Sequence, residues 1–264
     1  MYNDIVTIGS LTIHGYGLMI GIGIVAALLV GDYRAKKKGL DGDLIYGLTL
    51  ATVIFGFLSA KILFILTQWQ AFVKDPKSFL AGSGFVVFGG IIGGAITIMI
   101  YCRMKRMDFA RYLDLMIPSV ALAQGFGRIG CFLAGCCYGK RTDSWFGITF
   151  TDSHYAPNHV KLFPSQLVMS AGDFLIAALL LLYARRDPAK GKTGALYLML
   201  YSVGRFFAEF TRDDNRGFVG ALSTSQFIGI FIFLIGAAFF FGIIPARDKK
   251  SSLVNQEKEA ENED

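Results

Sequence analysis

Arg128 lies in the run Gly127-Arg128-Ile129-Gly130-Cys131-Phe132-Leu133-Ala134-Gly135-Cys136-Cys137-Tyr138-Gly139, which holds one arginine, four glycines and three cysteines. The residues before it, 113–124, read as membrane-embedded. A charge at that depth costs about 2.5–3.5 kcal/mol on insertion scales, so it marks a functional site by default. A second set is Tyr201, Arg205, Glu209 and Arg212, whose i, i+4, i+8, i+11 spacing places them on one helix face. Arg205 and Glu209 are four residues apart and can pair. Gln124, Arg128, Cys131 and Gly135 form a similar stripe, and Gln166 and Asp173 stand two turns apart. Two arginines facing one cavity repel unless an anion or carboxylates lie between them. A guanidinium presents five donors in a planar fork that matches a phosphate bidentately, so the chemistry expected here is recognition of a phosphate-bearing lipid headgroup. An arginine–glutamate pair that merely joins helices is the bland alternative.

These residues need a membrane bundle to position them. The chain of 264 residues is 53% hydrophobic and only 17% charged, with a mean hydropathy of +0.49. That composition is wrong for a soluble domain and right for an all-α polytopic membrane protein. Seven apolar windows approach the length of about 20 residues that a span requires: 13–30, 44–67, 85–101, 113–137, 164–184, 193–210 and 223–244. Basic residues cluster after the first, third, fifth and seventh windows, as Arg34, Lys36, Lys37 and Lys38, then Arg103, Lys105, Arg106 and Arg111, then Arg185, Arg186, Lys190 and Lys192, then Arg247, Lys249 and Lys250. The intervening loops are poorer, so the N-terminus is expected outside and the C-terminus in the cytoplasm. The net charge of +6 is then topological, and no nucleic-acid partner is implied. No Lys or Arg precedes Arg34, so the first window does not read as a cleaved signal peptide. Residues 1–250 are expected to form one transmembrane domain, followed by a polar, disordered cytoplasmic tail at 251–264.

With this topology the polar groups acquire depths. Tyr16, Phe88, Gly89, Gly90 and Gln166 fall near the outer ends of their helices, and Lys61, Arg128, Arg205 and Glu209 rise toward the same side. Asp173 lies nearer the middle. A polar cavity open to the outer leaflet is expected. The segment 143–150 is β-prone and reads as part of a small extracytoplasmic cap, with His154 and His159 in the loop that could lid the site. Cys136 and Cys137 are adjacent, Cys131 and Cys136 could bridge only if the helix ends between them, and no CxxC pair suggests zinc. No metal and no cofactor is expected.

The run 127–139, together with Tyr16-Gly17-Leu18-Met19, Gly89-Gly90-Ile91-Ile92-Gly93-Gly94, Pro164-Ser165-Gln166-Leu167 and Tyr201-Ser202-Val203-Gly204-Arg205-Phe206-Phe207-Ala208-Glu209-Phe210-Thr211-Arg212, resembles the prolipoprotein diacylglyceryl transferase family. The motifs run in order from about Tyr16 to Gln226. The resemblance implies a multi-pass enzyme of the bacterial cytoplasmic (inner) membrane. It would transfer the diacylglyceryl group of phosphatidylglycerol to the lipobox cysteine of a prolipoprotein signal peptide, forming a thioether and releasing glycerol 1-phosphate. Arg128, Arg205 and Glu209 would be catalytic. Tyr16, Lys61, Gly89, Gly90, Gly139, Gln166, Asp173, Tyr201 and Arg212 would bind substrate. The chain departs from the family pattern at Phe88, where a His is usual, at Cys131 and Cys136, where Asn and Glu are usual, at Val168 and Met169, and at Lys61 in place of Arg. Two alternatives stay open: a divergent paralogue that binds anionic phospholipid without this activity or uses another acceptor, and a lipid or anion transporter.

Overall fold

In lipid every backbone polar group must find its partner inside the segment, so long apolar runs fold as helices. The computed structural model of the protein describes residues 4–8, 11–82, 84–214 and 217–244, and each of the seven apolar windows falls on a helix. These are α1 (Gly15–Lys37), α2 (Gly42–Thr67), α5 (Val87–Met104), α6 (Phe109–Ala134), α7 (Ser165–Ala184), α8 (Lys192–Ala208) and α9 (Thr224–Phe240). Two short helices, α3 (Trp69–Lys74) and α4 (Pro76–Ala81), intervene after α2. Among the described residues, α1, α2, α5, α6 and α7 are long and apolar enough to cross a membrane, and α9 is a shorter apolar helix. This is the architecture of a polytopic all-α membrane protein. The tail 251–264 and the basic residues Arg216, Arg247, Lys249 and Lys250 lie outside the described residues.

Element ends depart from the apolar windows for local reasons. Ile13 and His14 are not helical, because β2 (Leu11–His14) pairs antiparallel with β1 (Asp4–Ile8) before α1 begins. The end of α6 comes at Ala134 because Gly135 adopts φ +73°. Its N–H then bonds Phe132 O at 3.1 Å and the Cys136 N–H bonds Cys131 O at 3.1 Å, the pairing of a Schellman motif. The β-prone segment forms only two residues of strand, β3 (Ile148–Thr149), paired with β4 (Lys161–Leu162).

The chain divides into two compact units, residues 31–112 and residues 1–30 with 113–264. In the first, α2 and α5 pack along small residues. A Cβ on Gly89 would meet Ser59 O at 2.6 Å and Ala60 Cα at 2.9 Å, so the helices approach too closely for any side chain there.

In the second unit, α1 meets α6 where a Cβ on Gly23 would lie 3.1 Å from Ala123 O, and again where Gly130 faces Tyr16. The ring of Phe174 covers Gly125, and Ser170 Oγ donates to Gly125 O at 2.8 Å, which holds α7 against α6. Ala121, Ile176, Ala177, Leu180 and Tyr197 form the core between α6, α7 and α8. Asp114, near the start of α6, accepts from the Gly191 N–H at 2.6 Å and the Gly194 N–H at 2.8 Å. It thereby places a carboxylate at the positive N-terminus of α8. Ser223 caps α9 in a reciprocal pairing with Gln226.

Candidate functional site

The exits of α6 and α8 are tied together. Gly139 bridges Arg212, the Lys140 N–H bonds Thr211 O at 2.9 Å, and the Asp213 N–H bonds Tyr138 O at 3.2 Å. Ser165 Oγ, at the start of α7, donates to Thr211 O at 3.0 Å. A Cβ on Gly139 would run into Phe163 O and Ser165 Oγ and come within 2.9 Å of Thr211 O. The glycine is therefore required by close approach of three strands of chain.

This junction collects most of the charged groups that the sequence singles out. Arg205 Nη1 pairs with Glu209 Oε2 at 2.7 Å, and Arg205 Nη2 donates to Ser225 Oγ on α9 at 2.9 Å. The pair is well buried, at 13% and 4% side-chain exposure. α8 ends at Ala208, so Glu209 opens a 3-10 turn, Glu209–Thr211, yet still reaches back to Arg205. Arg128 Nε lies 3.9 Å from Asp173 Oδ2, an ion pair beyond hydrogen-bonding distance. Arg128 and Arg205 are within electrostatic range of each other and of Tyr201. Tyr201 stacks on Tyr197 at 5.6 Å, and Tyr197 Oη donates to Gln124 Oε1 at 2.7 Å.

Arg212 forks onto Asp214, Nε to Oδ1 at 2.8 Å and Nη2 to Oδ2 at 2.5 Å. Burial opposes its charge, but the hydrogen-bonded carboxylate outweighs this and holds the guanidinium above its ordinary pKa. Gln166 is fully buried and its Nε2 donates to Cys136 O at 2.8 Å. Tyr16, packed on α6 at Gly130, interacts electrostatically with Arg128, Cys131, Cys136 and Cys137.

Tyr16, Arg128, Gly139, Gln166, Asp173, Tyr201, Arg205, Glu209 and Arg212 thus belong to one unit. Lys61, Gly89 and Gly90 belong to the other. There Lys61 Nζ donates to Gly82 O at 2.7 Å and Gly84 O at 3.4 Å, with Phe85 4.9 Å away, while Gly89 and Gly90 form the α2–α5 contact. Spacing had not pointed to Ser225 or Asp214. Asp214 was accessible as an Arg-x-Asp pattern, whereas the Ser225 contact crosses from α8 to α9 and leaves no local trace.

The arrangement can hold a phosphate: Arg128 has its fork weakly engaged, and Arg205 is braced by Glu209 and Ser225. The family profile of prolipoprotein diacylglyceryl transferase matches residues 3–242. The chain is 48% identical over 232 residues to the phosphatidylglycerol–prolipoprotein diacylglyceryl transferase of Clostridium tetani (strain Massachusetts / E88), covering 88% of this chain and 93% of the relative. It is 45% identical to the phosphatidylglycerol–prolipoprotein diacylglyceryl transferase 2 of Clostridium perfringens (strain 13 / Type A), over 92% of this chain and 95% of that one. Transferase 1 of the same strain is 34% identical at the same coverage. Near-complete coverage at these identities, over a chain whose arginines converge as described, leaves one assignment: the chain belongs to the prolipoprotein diacylglyceryl transferase family.

Proposed function

We propose that this enzyme transfers the diacylglyceryl group of phosphatidylglycerol to the lipobox cysteine thiol of a prolipoprotein signal peptide, in the bacterial cytoplasmic (inner) membrane. The reading assigns seven spans to α1, α2, α5, α6, α7, α8 and α9, with the N-terminus outside, and treats residues 1–250 as one domain. The observation that carries the mechanism is the convergence of Arg128 and Arg205 with Tyr201 beside the tied exits of α6 and α8.

The acceptor sulfur attacks the glyceryl carbon bonded to the phosphate oxygen. A C–S bond forms, the C–O bond breaks, and the electron pair leaves on phosphate, giving glycerol 1-phosphate. Arg128 binds the phosphodiester with the donors that its 3.9 Å pair to Asp173 leaves available. Arg205, fixed by Glu209 and Ser225, faces the charge that grows on the leaving oxygen. Tyr16 and Tyr201 donate to the headgroup. The thiol proton is taken by a carboxylate of the site, Asp173 or Glu209, since the thiolate is the nucleophile. Phe88 has no proton to exchange and takes no part. Lys61 fastens the connection between α2 and α5, and Gly89 and Gly90 let those two helices pack closely.

Purified protein incubated with phosphatidylglycerol and a lipobox peptide should release glycerol phosphate only when both substrates are present. Lipid binding without release would leave a non-catalytic lipid-binding paralogue. Headgroup translocation without release would leave a transporter.

A further inference from the structure

The sequence spacing of the cysteines suggests no metal site, but the fold gathers them. The Sγ atoms of Cys131, Cys136 and Cys137 all lie within 4.8 Å of one another, and each residue is partly exposed. Three consecutive local features cause this. Gly135 stops α6 in the left-handed conformation, and the Schellman bond from the Cys136 N–H to Cys131 O folds Cys136 back over the last turn. Cys137 then takes φ +58°, an uncommon conformation for a residue with a Cβ. Both flanks are fixed, because Gln166 holds the Cys136 carbonyl and the Asp213 N–H holds the Tyr138 carbonyl. Ligand-bearing backbone held by hydrogen bonds on both sides, one of them from the fully buried Gln166, suits a metal site.

We propose that Cys131, Cys136 and Cys137 form a three-thiolate site for a thiophilic d10 cation of the Zn2+ class, with a fourth coordination position that receives the acceptor thiol. Zinc–sulfur bonds of about 2.3 Å put tetrahedral sulfurs roughly 3.8 Å apart, so side-chain rotations on the order of 1 Å close the observed group around an ion. Among the described residues, no fourth Cys, His, Asp or Glu joins the set. Three protein ligands and an open position are the pattern of catalytic rather than structural zinc. One divalent ion with three thiolates carries a single negative charge, and Arg128 and Arg212 both act electrostatically on Cys137 from nearby. Arg128 precedes Cys131 by three residues on the same helix, so a thiol bound at the fourth position lies beside the phosphate clamp.

This inference rests on the transferase reading and supplies its nucleophile. On coordination the acceptor S–H bond breaks, the sulfur binds the ion as thiolate, and the proton passes to a site carboxylate or water. The sulfur then forms the C–S bond as the C–O bond to phosphate breaks. The proton leaves with the released glycerol phosphate or to solvent, and no redox partner is needed.

The test uses the full chain in detergent, stripped of metal and titrated with Zn2+, and in parallel with Co2+. One equivalent per chain and a cobalt–thiolate charge-transfer band are expected, retained in Cys102→Ser. Cys137→Ser should weaken binding by more than the roughly 10–100-fold typical of outer-shell changes, and the triple serine variant should bind none. A peptide with a lipobox cysteine should perturb the cobalt band, and its serine counterpart should not. Absence of stoichiometric binding, binding retained by the triple variant, or two of the thiols found as a disulfide in place of metal overturns the site. A band indifferent to the cysteine peptide overturns the open position. Release of glycerol phosphate should fall on the order of 10²-fold on stripping, as for loss of a proton-transfer group. Full activity of stripped protein overturns metal activation and leaves the transferase reading standing. A perturbed band without any release supports the site and overturns the transferase reading.

Discussion

Replacing Arg205 by Met tests whether the Arg205–Glu209 pair serves turnover or only joins α8 to its neighbours. The guanidinium makes a 2.7 Å ion pair and a 2.9 Å hydrogen bond to Ser225, with both charged side chains largely withdrawn from solvent. Removing Arg205 takes away the 2.7 Å counter-charge of a buried carboxylate, a loss of the kind that costs about 3–5 kcal/mol. If the same guanidinium faces the leaving phosphate, its loss also removes a transition-state donor, a further factor of about 10²–10³ in kcat. The two effects separate in the double variant Arg205→Met with Glu209→Gln, which removes both charges of the pair. Stability should recover by a coupling energy of about 0.5–3 kcal/mol. Activity should stay lost. Thermal unfolding in detergent reads the first quantity, and glycerol phosphate release in mixed micelles reads the second. Activity of Arg205→Met within a few-fold of the parent, or activity returning in step with stability in the double variant, would falsify the phosphate-clamp assignment.

Three other expectations follow from the geometry. Gly139→Ala forces a Cβ against Phe163 O, Ser165 Oγ and Thr211 O, so it should lower both melting temperature and turnover; a variant with parental unfolding and rate would show that the junction has slack. Arg128→Lys keeps the charge but loses the planar fork, so lipid-dependent turnover should drop by roughly 10²-fold with little change in unfolding temperature; unchanged kinetics would mean that Arg128 acts as a point charge. Asp114→Ala removes the acceptor of the Gly191 and Gly194 N–H groups at the start of α8 and should cost about 0.5–2 kcal/mol in the unfolding transition; a shift below measurement error would remove its capping role.

Much of the site was legible because helix periodicity is local. Arg205 and Glu209 are four residues apart, and their pairing survives even though Glu209 leaves the α-helix for a 3-10 turn. Arg128 was conspicuous because a charge in an apolar run is costly. The cysteines were illegible for the opposite reason. Their meeting depends on the left-handed backbone at Gly135 and Cys137, and spacing written for an uninterrupted helix separates them. Lys61 illustrates another limit, since its carbonyl partners, Gly82 and Gly84, come from residues more than twenty positions later and leave no local trace. The apolar window 13–30 takes in His14 because an apolar run does not reveal a preceding hairpin strand that competes for its backbone.

Asp114 ties the start of α6 to the start of α8, and the Gly139–Arg212 bridge ties their ends. The two arginine-bearing helices therefore run parallel, tied to each other at their starts and just beyond their ends. On the proposed reading, a headgroup held between Arg128 and Arg205 is selected by its fit to this tied frame. Phospholipids with bulkier headgroups should then act as poor substrates through misfit in the ground state, appearing in KM before they appear in kcat.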